Sequence, residues 1–356
     1  MATQSSVISA PQFSRQLRRF GLTALVTLFG LILLIVYLLP FPNMVTVSLR
    51  DQAALAQTPD STMLPVMPAT YNYEGKDYPL YEVPTDEGVR QLALVKPGRR
   101  SSQFVDPTNP EAGIIEWEGN WRQLKEVEVL SPRWENFSEA WQKIDFPRLF
   151  RNTFAIAIGG VIGTLLSCIS VAYAFARFPI PGKNILFIIL IGTIILPQQV
   201  TLIPTYLFFS YLGWVGTWAP LIVPHFFANA YNVFLLRQYF LTLPKELDEA
   251  AMIDGAGPFR ILTEVIIPQS WPAIVAVAIF HFVFAWNDFF MPLIYLLSKP
   301  ELQPVSIGVQ VFNFQYGPRP ELVQATSLMA MVLPLIIFFL AQRFFMRGVV
   351  ITGVEK

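Results

Sequence analysis

Few side chains in this sequence are placed to do chemistry, and their spacing narrows what that chemistry is. His225 and His281 stand far apart, and the single cysteine, Cys168, lies in an apolar run. No H-E-x-x-H, paired Cys-x-x-Cys or nucleophile-elbow pattern accompanies them. Gly182-Lys183 lacks the glycine five residues upstream and the following Ser or Thr that a phosphate-cradling loop needs, so no nucleotide site is legible. Asp288, beside Trp286 and Asn287 in a long apolar stretch, is the acid that stands out. An acidic group near or within a membrane is a functional candidate, and aromatic faces with hydrogen-bonding side chains suit a sugar. The other reading places Asp288 at the outer end of a helix, paired structurally with a neighbour. Gln198 and Gln199, between Pro197 and Pro204, are further pathway candidates, because an interrupted helix can expose polar groups to a cavity.

Residues 243–268 are the most informative stretch. Pro244 suits a first helical turn, where its missing N–H is not needed. Glu246, Asp248 and Glu249 follow, where the helix dipole favours acid. Leu247, Ala250 and Ala251 share a face at i, i+3, i+4. Gly255 can end the helix in the left-handed conformation, and a second short helix starts at Pro258. The spacing predicts two short helices joined at a glycine. An apolar stripe of this kind serves a membrane-skimming helix and a docking helix equally.

The elements that position these residues follow from composition. The chain has 356 residues, 53% hydrophobic and 14% charged; soluble domains carry about a quarter charged residues, so a membrane protein is indicated. Largely uncharged stretches of about 20 residues mark spans. They fall at 20–40, 152–176, 184–208, 217–236, 270–297 and 322–342, which predicts six transmembrane helices. Short-loop Lys and Arg stay cytoplasmic. Arg15, Arg18 and Arg19 before the first span, and Arg343, Arg347 and Lys356 after the last, place both termini inside. Ala54-Leu55-Ala56 resembles a signal-cleavage site, but the apolar run is too long for a signal peptide and the site lies well beyond it. The expected organisation is a cytoplasmic N-terminus (1–19), a first helix (20–40), an insert (51–133), a transmembrane domain (148–345) with a cytoplasmic loop at 237–268, and a tail (346–356).

Residues 51–148 carry 16 acidic and 10 basic side chains, although the whole chain is formally neutral. Period-two patterns at 71–79, 91–95, 114–121 and 126–130, bounded by Pro, Gly and Asn, predict a small β-rich extracytoplasmic insert between the first two helices. The high proline content also fits an irregular loop. Residues 134–141 read as a short amphipathic helix. Asn136-Phe137-Ser138 matches a glycosylation pattern, which in a bacterium means nothing.

The run Glu249-Ala250-Ala251-Met252-Ile253-Asp254-Gly255-Ala256-Gly257 resembles the EAA signature of type I ABC importer permeases. Ser48-Leu49-Arg50, Trp134-Glu135-Asn136-Phe137, the Ala172–Arg177 stretch, Trp286-Asn287-Asp288-Phe289 and residues 342–354 resemble the carbohydrate-uptake, maltose-type branch. The likeness covers the first helix and about 134 onward, but not most of 51–133. It implies an all-α polytopic permease in a bacterial inner membrane, handling a sugar or glycosylated solute. The implied partners are a second permease, two ATPase subunits, an extracytoplasmic binding protein and the lipid bilayer, with no nucleic acid. ATP and Mg would sit on the ATPase, leaving this chain without cofactor, metal or catalytic residue. The implied ATPase-coupling helix is 244–254, with Glu249 at the entrance of a cleft, Ala250 and Ala251 inside it, and Asp254 and Gly255 at its end. An ion-coupled secondary transporter would show inverted repeats and intramembrane charges; an accessory scaffold would use the insert to bind a partner.

Overall fold

The computed structural model describes residues 10–52, 55, 64–85, 88–314 and 317–350, with backbone alone for 10–18, 343–350, Glu111, Gln198 and Phe314. The first nine residues, the Ala54-Leu55-Ala56 motif apart from Leu55, and the end of the tail (351–356) lie outside the described residues. The chain divides into two compact units, Met1–Asn136 and Phe137–Lys356.

The first unit opens with α1 (Ala10–Leu38) and α2 (Pro40–Ser48), of which Arg19–Ser48 is long and apolar enough to cross a membrane. Pro40 sits in the first turn of α2, where no N–H is missed. The β-rich insert follows: β1 (Val66–Pro68), β2 (Thr70–Tyr73), β3 (Lys76–Thr85), β4 (Gly88–Lys96), β5 (Ser101–Val105), β6 (Ile114–Glu118), β7 (Lys125–Glu126) and β8 (Glu128–Leu130). Strands β2 to β6 form an antiparallel meander, β7 pairs with β3, and β1 pairs separately with β8. The β2–β3 turn is Glu74-Gly75, both at positive φ, as a two-residue hairpin loop requires. Val83, Leu92, Leu94 and Phe104 form the buried core, with Trp117 and Trp121 packed against it. Strand β5 was not expected, because Ser-Ser-Gln-Phe-Val shows no clean alternation; its Phe104 and Val105 are both buried.

The insert leaves and returns at one neck. Asn136 donates its side-chain amide to the carbonyls of Ser48 (2.8 Å) and Arg50 (2.9 Å), and Arg133 N–H donates to Leu49 O (2.8 Å). Asp51 and Arg133 pair across the same neck. Asn136 is 1% exposed, so it is a structural clamp with both amide hydrogens engaged rather than a modification site.

The second unit is helical. The predicted amphipathic helix is present as α3 (Glu135–Lys143). Next come α4 (Phe146–Arg177), α5 (Lys183–Gly192), α6 (Gln198–Tyr211), α7 (Ala230–Thr242), α8 (Glu246–Ile253), α9 (Pro258–Ile261), α10 (Trp271–Asn287), α11 (Phe290–Leu296) and α12 (Pro320–Val350). Helix α4 is the centre, packing against both α7 and α10, and α10 packs in turn against α12. Helices in a membrane gain little from apolar burial, so close contact relies on small residues. Gly159, Gly160 and Gly163 supply them on α4: a Cβ at Gly160 would lie 2.6 Å from His281 Nε2, and one at Gly163 2.6 Å from Phe226.

Among the described residues four helices are long and apolar enough to span a membrane, or up to six if each bent pair counts as one. The third predicted span bends by 98° between 183–195 and 199–211. Its break falls at Leu196-Pro197, where the residue before proline is held extended; Pro204 lies inside α6 without interrupting it. The fourth span is also irregular: a 3-10 turn at Val223–Phe227 ends on Ala228 at φ +58°. Asn229 then restarts the chain by accepting the Asn232 N–H (2.9 Å) as the cap of α7. Helix α7 continues to Thr242, so Arg237 belongs to a helix rather than to the loop expected from 237, and its guanidinium lies 4.1 Å from the Phe187 ring centre.

Candidate functional site

Two places gather the residues that sequence singled out. The first is α8. Its three acids occupy the first turn, Glu246, Asp248 and Glu249, where the dipole favours them. Pro244 stands before the helix rather than in it, and Leu243 is extended because a proline follows. The helix ends in a Schellman arrangement. Gly255 N–H donates to Met252 O (3.0 Å) and Ala256 N–H donates to Ala251 O (2.9 Å), with Gly255 at φ +79°. Ala251 and Ala256, the positions at which that motif places its hydrophobic residues, each pack against the bundle's core cluster.

This packing rotates the helix away from the face expected of it. Asp248 and Ala251 turn inward, while Leu247 and Ala250 are exposed. Glu249, Met252, Ile253 and Asp254 also face outward, and Phe259 of α9 is 78% exposed. Inward, Asp248 meets Arg177, the last residue of α4, at 2.8 Å between Nε and Oδ2, with both side chains at most 10% exposed. Burial pushes the Asp248 carboxyl above its usual range, opposed by the Arg177 charge. Arg177 also donates to Leu243 O (3.0 Å), and Tyr173, one turn earlier, donates its hydroxyl to Pro258 O (3.3 Å). Neither Arg177 nor Asp248 was marked from sequence as a pair; 71 positions separate them, and no local pattern relates them.

The second place is a cavity of about 270 Å³ within the helical unit. Asp288 lines it, together with Thr153, Thr201, Thr205, His225 and Tyr295. Asp288 Oδ1 also accepts the Met291 N–H at 3.2 Å. The other candidates do not converge there. Trp286 is 3% exposed, donates its indole N–H to Ala330 O (3.1 Å) and packs between Phe150 and Phe282, so it is part of the core. Asn287 donates to Val283 O in its own helix (2.8 Å) and faces other cavities. Gln199 is exposed and lines neither the Asp288 cavity nor the one beside it; the Gln198 side chain lies outside the described residues. The threonines had a readable signal, since Thr201 and Thr205 share one helical face at i, i+4.

The two histidines, unconnected in sequence, meet. Their ring centres are 4.4 Å apart, and Thr164 Oγ1 lies 3.2 Å from His281 Nδ1. His225 borders both the Asp288 cavity and a second one of about 510 Å³ lined by Asn229, Tyr231 and Asn232. The positive φ of Ala228 falls between these polar residues, an observed departure at a cavity wall. The helical unit therefore holds cavities with mainly apolar walls whose lining includes hydroxyl, imidazole and carboxyl groups.

Comparisons with known proteins agree on one family. The family described as "Binding-protein-dependent transport system inner membrane component" matches residues 161–350. An osmoprotective compounds uptake permease protein of Synechocystis sp. is 32% identical over 260 residues, 71% of this chain and 85% of that one. An sn-glycerol-3-phosphate transport system permease protein of Rhizobium meliloti is 34% identical over 227 residues, 61% of this chain and 80% of that one. In fold, the chain is similar to a crystal structure of a bacterial ABC transporter involved in import of the acidic polysaccharide alginate. The TM-score is 0.64 at 19% identity, over 96% of this chain and 100% of that one. The chain belongs to the family of binding-protein-dependent transport system inner membrane components: it is a permease subunit of an ABC importer, and ATP hydrolysis belongs to separate subunits.

Proposed function

We propose that this permease carries a sugar or a glycosylated small solute, delivered by an extracytoplasmic binding protein, into the cytoplasm. The observation that carries the substrate class is the Asp288 cavity, whose hydroxyl, imidazole and carboxyl groups match the alternating donors and acceptors of a polyol. The similar permeases handling osmoprotective compounds and, in Rhizobium meliloti, alpha-glucosides support the same class. A cavity of about 270 Å³ is small for a whole oligosaccharide, which fits a ligand shared with a second permease subunit. Extracting the cognate binding protein and identifying what it holds by mass spectrometry tests the reading. A saccharide or glycoside is expected; an amino acid or peptide would overturn it.

The proposed arrangement is six spans, with both bent pairs crossing the membrane, both termini cytoplasmic and the β insert outside. Helix α8 then lies on the cytoplasmic side, where it docks in a cleft on one of two ATPase subunits. ATP and Mg act on those subunits, and this chain holds no cofactor. The outward residues of α8 differ in role from a simple reading of the motif. Glu249 and Ala250 enter the cleft with Met252 and Ile253, whereas Ala251 holds the helix to its own bundle. Closure of the ATPase dimer moves α8 as a rigid body and the bundle follows, opening the cavity outward.

A further inference from the structure

We propose that Arg177 and Asp248 form the strut that passes movement of α8 to the centre of the bundle; this rests on the reading that α8 docks an ATPase. Helix α8 has few inward holds. Asp248 and Ala251 are the two of its residues that are not exposed, and Ala251 contributes one methyl group. The stiff connection is therefore the ion pair at 2.8 Å, buried at both ends. Its other end is the final residue of α4, the 32-residue helix on which α7 and α10 pack. Arg177 also holds the chain entering α8 at Leu243, and Tyr173 holds the chain leaving it at Pro258. Both flanks and the middle of α8 are thus tied to one turn of α4. A guanidinium suits this task because its fixed fork engages two partners at once without rotamer freedom between them.

Stability alone does not account for the pair. Replacing a buried ion pair by neutral groups of similar shape is often neutral or stabilising, whereas removing one partner leaves a lone buried charge. That asymmetry supplies the test. Arg177→Gln, Asp248→Asn and the neutral double Arg177→Gln/Asp248→Asn are made in the full importer, assembled in nanodiscs with its ATPase subunits. The readout is ATP hydrolysis with the binding protein divided by hydrolysis without it, alongside the yield of assembled complex.

The single variants are expected to assemble poorly. The double is expected to assemble in wild-type amounts yet lose most of the binding-protein stimulation, its ratio falling towards one. A double that regains the wild-type ratio together with wild-type assembly would overturn the strut, and so would a double that fails to assemble, since the pair would then serve folding. Wild-type complexes from which α8 can be replaced by a Gly-Ser linker without losing the ATPase subunits would instead overturn the docking reading, and the strut with it.

Discussion

At the scale of single residues, backbone conformation decides what position 255 tolerates. Gly255 has φ +79° with nothing within 4 Å of where a Cβ would stand, so the constraint is torsional and not a clash. Left-handed backbone costs an ordinary L-residue about 1–2 kcal/mol, and a β-branched one more, while asparagine adopts it readily. Gly255→Val should therefore leave the protein inserted but weaken uptake or its coupling to ATP hydrolysis, and Gly255→Asn should retain most of both. Equal damage from the two variants, measured as transport per ATP hydrolysed, would mean that an ATPase surface presses on the glycine instead. A second prediction at this scale concerns the insert. Two hydrogen bonds from Thr108, with the Arg90 charge beside it, hold the Asp106 carboxyl below its usual range. A depressed carboxyl contributes stability that is present above the unfolded value and lost as pH falls through the folded one. Thr108→Val should raise the pH at which the insert loses protease resistance on acidification; an unchanged midpoint would count against this assignment.

At the scale of elements, helix α4 shows why a glycine can be worth more than its propensity. Replacing a helical glycine by alanine gains roughly 1 kcal/mol in propensity. At Gly160 the added Cβ would sit 2.6 Å from His281 Nε2 and 3.3 Å from His225, in a packed interior where overpacking costs typically 1–3 kcal/mol. The steric cost wins, so Gly160→Ala should lower the thermal unfolding midpoint in detergent. Gly30→Ala in α1, with nothing within 4 Å, is the comparison in which the propensity gain acts without a steric cost. A Gly160→Ala protein as stable as the parent would show that α4 and α10 do not pack this closely. Four of the six expected spans coincide with described helices long and apolar enough to cross a membrane, but the breaks in the helical unit were readable only in part. Pro197 announced one bend through its effect on Leu196, whereas the 3-10 turn before Ala228 has no such marker, and its positive φ falls on a residue type that gives no warning.

For the whole molecule, the proposed orientation is open to a direct check because the chain has a single cysteine, Cys168, which is buried. Gln103→Cys in β5 should react with a membrane-impermeant maleimide on intact spheroplasts. Ile253→Cys on α8, 87% exposed in the chain by itself, should react only after the membrane is opened, and less when the ATPase subunits are bound. Labelling of Ile253→Cys from outside would invert the topology. The proposed substrate site also belongs to this scale, since Thr201, His225, Asp288 and Tyr295 come from four separate segments that line one cavity. Asp288→Asn should raise the KM for uptake by roughly ten- to a hundred-fold with the complex still assembled, as expected on removing one charge-assisted hydrogen bond worth about 1.5–3 kcal/mol. Unchanged kinetics would assign Asp288 to capping the turn at Met291 alone.

Local chemistry was enough to establish a membrane protein, a β-rich insert with most of its strands, and a short helix stopped by a glycine. Each of these depends on hydropathy, period or backbone freedom within a few neighbouring residues. Only the tertiary structure decided which face of α8 turns inward, because that depends on Arg177 waiting at the end of another helix. It likewise moved Trp286 from a candidate contact into the core and brought His225 and His281 together. Pairings over such separations are selected by packing and by the cost of leaving a buried charge or donor unmatched, and neither leaves a mark at short range.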